Sequence, residues 1–483
     1  MLSLTEKLFF RLWRNQIFFY FLVCVVFLFL SAQVPSTFLY SYVFIVLSFM
    51  AVRSFYRATL KLDDKSYLGL LLSTAFVLRI VTIFVLACLF RYFNGDYFVG
   101  GGDDYGYYQA SSEIYKFWKY GIVPLDRSGI SMSTGDYSGY PIFGALMMRL
   151  LGENFYAARV GNAVFSTLSV YFVYRICLSF TCRPLARLTA CIFAFYPFSV
   201  IFSGLQWKDT ILLSLVLMNI YGVVRVLRSE RLISAIFYTT VSLILLLFFR
   251  PAATFVLVLS HALITGYGIF RAVKFAPNAR FYRNFVILLV AAVSLLACAW
   301  IALADRGLVT SADSYFDTRS AISGKTLSET GAGAGNMSFA KFLGAPAYMA
   351  STVFLPVFTA VNLSVSNTIN IAFLPLAMHM TLLPFFIIAM WNIIVSTHEH
   401  AYANPVPLYL LVSYVMYRGV QACSMVSTFD PRQSLPALIL MLLMLPFAFE
   451  RPFKRKVFVL LITISIVTLL AINLVRMKSH GLL

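Results

Sequence analysis

Long apolar runs recur along nearly the whole chain, and short polar or basic segments separate them. A helix that crosses a bilayer needs about 20 predominantly apolar residues. On this pattern about thirteen spans are predicted: 17–32, 37–52, 67–90, 156–180, 184–203, 209–228, 232–249, 252–270, 284–304, 368–394, 404–421, 434–450 and 457–475. Two further apolar segments, 140–152 and 346–363, are interrupted by Gly or Pro and are predicted as short interfacial or re-entrant helices. The pattern therefore predicts an all-α polytopic membrane protein.

The composition excludes a soluble globular protein. Of the 483 residues, 60% are hydrophobic and only 12% are charged, whereas a soluble domain carries about 25% charged residues. The mean hydropathy of +0.84 points the same way. We expect an integral, multi-pass protein, most simply of a bacterial inner membrane, with membrane lipids as its surroundings.

The net charge of +19 comes from 38 Lys and Arg against 19 Asp and Glu. In a soluble protein this excess would suggest nucleic acid, but cytoplasmic loops of membrane proteins collect Lys and Arg. No basic-aromatic module stands outside the apolar segments, so no nucleic-acid partner is expected. The basic clusters alternate with the predicted spans and share one side: Lys7 to Arg14, Arg53 to Lys65, Arg175 to Arg187, Arg225 to Arg231, Arg271 to Arg283, and Arg451 to Lys456.

This topology leaves two long loops on the extracytoplasmic side, where long loops are usually functional. We expect both loops to carry short interfacial helices. The predicted division of the chain is an N-terminal transmembrane hairpin at 1–66, a transmembrane core at 67–304 whose first outer loop is 91–139, a second outer loop with broken helices at 305–367, and C-terminal transmembrane helices at 368–483.

Familiar soluble-enzyme motifs are absent from the sequence. The seven cysteines form no CxxC pair, so neither a metal ribbon nor a disulfide framework is indicated. No Walker A, HExxH or GxSxG motif occurs, which argues against an ATP-driven pump. Single histidines in apolar helices, such as His261 and His379, are more often structural than metal-binding.

Asp103 and Asp104 are adjacent carboxylates in the first outer loop. They directly follow Gly100-Gly101-Gly102 and precede a predicted amphipathic helix at 107–120. A carboxylate in this position can accept a proton from a sugar hydroxyl or hold a cation. The structural interpretation is also open, because Asp is a good cap for a helix N-terminus.

Three further charged features fall on the same outer face. Lys208 and Asp209 lie at the mouth between two predicted spans. Asp can cap a membrane helix and Lys can extend to the interface, but ionisable groups at membrane depth are functional candidates. Arg250 and Arg432 lie where basic residues are normally depleted. Each needs an anionic partner, which can be a carboxylate, a ligand phosphate or lipid headgroups.

The second outer loop is basic and rich in Gly and Ser. It contains Arg319 and Lys325 before the alternating Gly-Ala run at 331–335. The spacing of the glycines does not match a dinucleotide fingerprint. A mobile lid over an anionic substrate and a merely flexible loop both fit this composition.

Four sequence elements occur in order along the predicted outer face. They are Asp103-Asp104-Tyr105 through Ala110 with Trp118 and Gly121; Tyr140-Pro141-Ile142-Phe143 with Leu151-Gly152 and Ala158-Arg159-Val160-Gly161-Asn162; Tyr196-Pro197 through Lys208-Asp209-Thr210; and Arg432 with Pro436. Together they resemble the C-type (GT-C) superfamily of polytopic glycosyltransferases, which contains protein O-mannosyltransferases and lipid A aminoarabinose transferases. The resemblance covers about 67–270 and 430–450. The chain departs from it by the N-terminal pair of spans and by Lys-Asp in place of a bare acid.

The resemblance implies a GT-C-like fold and transfer of a sugar from a polyprenyl-phosphate donor to a glycan, lipid or protein acceptor, with inversion. It implies Asp103 or Asp104 as general base. Asp209 would orient the acceptor or hold the neighbouring lysine. The donor and its phosphate would be bound by Arg432 first, then by Arg250 and Lys208, with Tyr105, Tyr108, Arg319 and Lys325 completing the set. Some relatives use a divalent metal, so Mg²⁺ or Mn²⁺ held by the Asp pair is compatible with the resemblance.

Two other functions stay open at this point. A glycan polymerase or ligase would use a diphosphate-linked oligosaccharide, which the basic second loop would suit. A transporter or flippase of lipid-linked glycan would need polar residues along the middle of several spans. The sequence shows few such residues, which argues against transport.

Overall fold

The computed structural model describes residues 4–30, 35–99, 103–121, 139–228, 232–275, 376–400, 405–423 and 431–449. The regular elements in these ranges are all helices, which confirms the predicted all-α class. They are α1 Leu4–Leu30, α2 Pro35–Thr59, α3 Asp64–Asn94, α4 Asp103–Tyr120, α5 Gly139–Leu151, α6 Tyr156–Phe180, α7 Arg183–Ala194, α8 Pro197–Ser203, α9 Asp209–Leu227, α10 Leu232–Phe249, α11 Pro251–Phe275, α12 Leu376–His400, α13 Val406–Cys423, α14 Pro431–Met444 and a 3₁₀ helix Leu445–Phe449.

Four of the described helices, α3, α6, α9 and α10, are long and apolar enough to cross a membrane, and the bent pair α7–α8 makes a fifth. This supports an integral membrane protein. The predicted spans 284–304 and 457–475 and the segment 346–363 lie outside the described residues. The predicted short helix at 140–152 is confirmed as α5.

The predicted span at 184–203 corresponds to the bent pair α7–α8, and the sequence did not predict that the chain bends there by 43°. Pro197 begins α8. Proline lacks a backbone N–H, and its ring disfavours helical geometry in the preceding residue. Helix α7 therefore ends at Ala194, in the interior of the bundle.

An arginine stabilises this break. Arg79 of α3 is fully buried, and its Nη1 donates to the carbonyls of Ala75, at 2.9 Å, and Ala194, at 3.3 Å. Its Nη2 donates to Ser199 Oγ at 2.5 Å, and its Nε donates to Ser166 Oγ at 2.6 Å. The guanidinium thus neutralises the partial negative charge at the C-terminus of α7.

The turns between helices gather at two ends of the bundle. At one end, called here the basic end, Asp64 pairs with Arg183 at 2.5 Å and with Arg187 at 2.8 Å. These contacts join the α2–α3 turn to the α6–α7 turn. The other end, called here the site end, contains the first residues of α4, α5 and α6 together with the α8–α9 and α10–α11 turns.

Helix α4 lies against α5 at the site end. Gly144 of α5 comes so close to Ser111 of α4 that an added Cβ would lie 2.2 Å from Ser111 Oγ. Glu153, in the turn after α5, accepts a hydrogen bond from Ser112 at 2.7 Å and pairs with Lys116 at 3.2 Å. These contacts fix the position of α4 and of the two aspartates that begin it.

Candidate functional site

Asp104 is buried and its carboxylate is fully engaged. Its Oδ1 accepts from the backbone N–H of Gln206 at 2.5 Å. Its Oδ2 accepts from Arg159 Nη2 at 2.9 Å and from the Val99 N–H at 3.2 Å. Burial raises the pKa of the Asp104 carboxyl, and the Arg159 guanidinium and the two N–H donors oppose that rise. Asp104 therefore connects α4, α6 and the α8–α9 turn.

Arg159, in the first turn of α6, has no exposed surface. Its guanidinium carbon lies 5.4 Å from the ring centroids of both Phe98 and Phe155. Its Nη2 also donates to the Tyr97 carbonyl at 2.9 Å. Aromatic faces attract cations, so these rings and Asp104 together hold the buried charge in one orientation.

Asn162 lies one turn further along α6. Its Nδ2 donates to the Leu205 carbonyl at 2.7 Å, to the Trp207 carbonyl at 3.3 Å and to the Tyr140 hydroxyl at 2.9 Å. One amide group therefore connects α5, α6 and the α8–α9 turn.

Asp209 and Arg250 form an ion pair at the same end. Arg250 Nη1 lies 3.5 Å from Asp209 Oδ1, and both residues are buried. The pair joins the start of α9 to the α10–α11 turn. Among the anionic partners expected for Arg250, the structure supplies a carboxylate. Lys208 directly precedes α9 and is half-buried.

Tyr105 and Tyr108 both lie on α4 against Phe98, with ring centroids 5.3 and 5.2 Å away. Tyr105 is exposed, whereas Tyr108 is half-buried. Asp103 is the first residue of α4.

The structure brings Asp104, Lys208, Asp209 and Arg250 together at the site end, and the remaining candidates stay predictions. Arg432 belongs to the first turn of α14, but its side chain, like that of Asp103, lies outside what the structure describes. Arg319 and Lys325 lie outside the described residues altogether.

The surroundings of Asp104 do not suit a divalent metal. Both of its oxygens accept hydrogen bonds, and one is paired with a guanidinium. A cation would have to displace Arg159 to reach this carboxylate. Within the described ranges, no three His, Cys, Asp or Glu side chains come together as a metal site. A metal held by the Asp pair stays a prediction that depends on Asp103.

Sequence reasoning assigned no role to Arg159, Asn162 or Gln206. The first two occur at i and i+3 in the first turns of an apolar helix, so they lie on one face. Polar residues at that spacing in a membrane helix are a signal of a buried polar network. Gln206 gave no such signal, because it contacts Asp104 through a backbone N–H, which any residue but proline supplies.

The fold and the site define the class: a helical integral membrane protein with a buried network of carboxylates and arginines at one end of its bundle. No model of a known protein family matches the chain, and no curated protein is found to be similar to it. The similarity to the GT-C superfamily stays a prediction from the sequence.

Proposed function

We propose that this protein is a membrane glycosyltransferase that transfers a sugar from a polyprenyl-phosphate donor to an envelope glycan or lipid. The observation that carries the proposal is the convergence of two distant segments at the site end. Asp104, beside the candidate base Asp103, accepts from the backbone N–H of Gln206, and Lys208 and Asp209 follow two and three residues later.

The location of the charges supports an extracytoplasmic reaction. The α2–α3, α6–α7 and α9–α10 turns, where many of the basic residues occur, lie at the basic end, opposite the carboxylates. Because Lys and Arg accumulate in cytoplasmic turns, the site end would face outward. A lipid-linked donor anchored in the outer leaflet would present its phosphate at this level.

We assign the general base to Asp103, because the oxygens of Asp104 are already engaged. The acceptor hydroxyl attacks the anomeric carbon as its proton passes to the Asp103 carboxylate. The bond between that carbon and the phosphate oxygen breaks, and polyprenyl phosphate leaves as an anion. Lys208, Arg250 and Arg432 would stabilise the developing negative charge. A single displacement inverts the anomeric centre.

Asp103→Asn tests this assignment in purified protein supplied with polyprenyl-phosphate-linked sugars and a glycan acceptor. Loss of a general base lowers kcat by about 10²–10⁴-fold. Glu113→Gln is the matched control, because this carboxylate is exposed on the same helix, and we expect nearly unchanged turnover. Full turnover by Asp103→Asn would remove it as the base. Product length separates single-sugar transfer from polymerisation, and turnover in EDTA tests the metal prediction.

Transport of a lipid-linked glycan is the second candidate, and one observation favours it. The break between α7 and α8, with the buried Arg79 beside it, places polar groups inside the bundle. Interrupted helices with ionisable residues occur at the binding sites of transporters. The groups around Arg79 are hydrogen-bonded to one another, however, which suits a structural role. Movement of labelled lipid across proteoliposomes without formation of a glycosidic bond would establish transport instead.

A further inference from the structure

We infer that one face of α6 clamps residues 205–207 of the α8–α9 turn and thereby sets the position of Lys208 and Asp209. In this inference Arg159 and Asn162 are positioning residues. The contacts that form the clamp are present in the structure. Its consequence for turnover rests on the proposed function.

The clamp holds three consecutive residues by their backbone. The Leu205 and Trp207 carbonyls accept from Asn162 Nδ2, at 2.7 and 3.3 Å. The Gln206 N–H donates to Asp104, which is itself held by Arg159. Side chains from other helices therefore orient the peptide group between Leu205 and Gln206 and the carbonyl of Trp207.

A third attachment comes from the start of α6. Gln206 Nε2 donates to the Phe155 carbonyl at 2.8 Å. Phe155, Arg159 and Asn162 are spaced by four and three residues, so they lie along one face of the helix. Two of the attachments are therefore carried by α6 itself, and the third reaches α6 through Asp104 of α4.

No capping side chain at the start of α9 contributes to fixing the turn that precedes it. Lys208 occupies the N-cap position of α9 and makes no side-chain capping hydrogen bond, whereas Ser, Thr, Asp or Asn would normally satisfy the first N–H groups. The contacts to α6 therefore act together with the Asp209–Arg250 ion pair to set the direction in which α9 begins. Lys208 and Asp209 occupy that beginning.

Asn162→Ala removes the attachment of the Leu205 and Trp207 carbonyls and leaves the two contacts of Gln206 in place, and Asn219→Ala is its matched control. Asn219 is equally buried, and its amide donates to Ser242 Oγ at 3.1 Å and to the Thr239 carbonyl at 3.4 Å, which joins α9 to α10. Both variants lose one buried amide. Only the first variant loosens the α8–α9 turn.

The first readout is independent of enzymatic activity. Trp207 is one of five tryptophans and is buried against Phe202, with ring centroids 5.0 Å apart. In protein labelled with 5-fluorotryptophan, its ¹⁹F resonance is assigned by Trp207→Phe. We expect this resonance to shift or broaden in Asn162→Ala and to stay in place in Asn219→Ala. An unchanged Trp207 resonance in folded Asn162→Ala would overturn the clamp.

A third variant distinguishes hydrogen bonding from packing. Asn162→Leu restores the lost volume without a donor, so it should shift the Trp207 resonance as Asn162→Ala does. If Leu restores the wild-type spectrum, Asn162 acts only by filling space and the inference is wrong.

Turnover supplies the second readout. With a lipid-linked donor, we expect kcat of Asn162→Ala to fall at least about tenfold, with a smaller change in the KM for the donor, while Asn219→Ala keeps kcat within about twofold. An equal loss of kcat in both variants would reduce Asn162 to a general stabilising residue. If the wild-type protein turns over no such donor, the proposed function fails and the ¹⁹F spectra still decide the clamp.

Discussion

Removal of Arg159 is expected to destabilise the protein more than any surface substitution. Arg159→Met leaves the Asp104 carboxylate buried, at 1% exposure, with only two backbone donors. Loss of one partner from a buried ion pair costs about 3–5 kcal/mol, because the other charge stays desolvated and unpaired. Asp104→Asn leaves the Arg159 guanidinium in the same position and should cost a similar amount.

The double variant shows whether the two charges act on each other. Asp104→Asn with Arg159→Met buries no net charge, and the asparagine oxygen can still accept from the Gln206 N–H. Its loss of stability should therefore be smaller than the sum of the two single losses. We expect a coupling energy of at least about 2 kcal/mol. The measurement is the free energy of unfolding in mixed micelles titrated with SDS.

Lys116 and Glu153 provide the matched comparison. Their nitrogen and oxygen lie 3.2 Å apart, but the two side chains are 48% and 29% exposed. Exposed pairs contribute about 0–1 kcal/mol, so the same cycle on Lys116→Met and Glu153→Gln should give a coupling energy in that range. Equal coupling energies for the two pairs would refute the argument that burial makes the Asp104–Arg159 pair strong.

Three further predictions concern the helices around the site. Arg79→Met should lower the free energy of unfolding by about 3 kcal/mol or more, because it leaves the Ala194 carbonyl without its donor, and Arg79→Lys should recover only part of this loss. Gly144→Ala should weaken the packing of α4 against α5, because the added Cβ would overlap the Ser111 side chain, and limited proteolysis should then cut α4 faster. A second substitution, Ser111→Gly, should restore the wild-type rate of proteolysis. Gly69→Ala is the control and should be neutral, because Gly69 has open space around it. The Ser112 hydroxyl lowers the pKa of Glu153, and Lys116 lowers it further. The ionised Glu153 carboxylate therefore stabilises the folded protein above the unfolded pKa of about 4.3, and this stabilisation is lost as the pH falls through the folded pKa. Glu153→Gln should abolish this pH dependence of the free energy of unfolding, measured between about pH 3 and about pH 6.

The apolar pattern predicts the described helices well, because a membrane span needs length and hydrophobicity, and both can be read from one segment. The apolar pattern does not predict the bend after Ala194, because the run of apolar residues continues through Pro197, the residue that indicates the bend. Asp104, Asp209 and Arg250 could be proposed from the sequence, since charges at span ends are conspicuous. The buried partner of Asp104 could not be proposed. Asp104 meets Arg159 across 55 residues of chain, and only tertiary packing determines such a pairing.

Arg79 also has a consequence for how the chain enters the membrane. Helix α3 is synthesised before the groups that bind its guanidinium, and Ser199 lies 120 residues later. An arginine at the centre of a span costs about 2.5–3.5 kcal/mol on insertion, and each Leu, Ile, Phe or Val returns about 0.3–0.6 kcal/mol. Helix α3 has a mean hydropathy of 2.4 over its most apolar window even with the arginine included, so its apolar residues outweigh that cost. We expect α3 to enter the bilayer alone, and its arginine to find permanent partners only after the ribosome has produced α6 through α8.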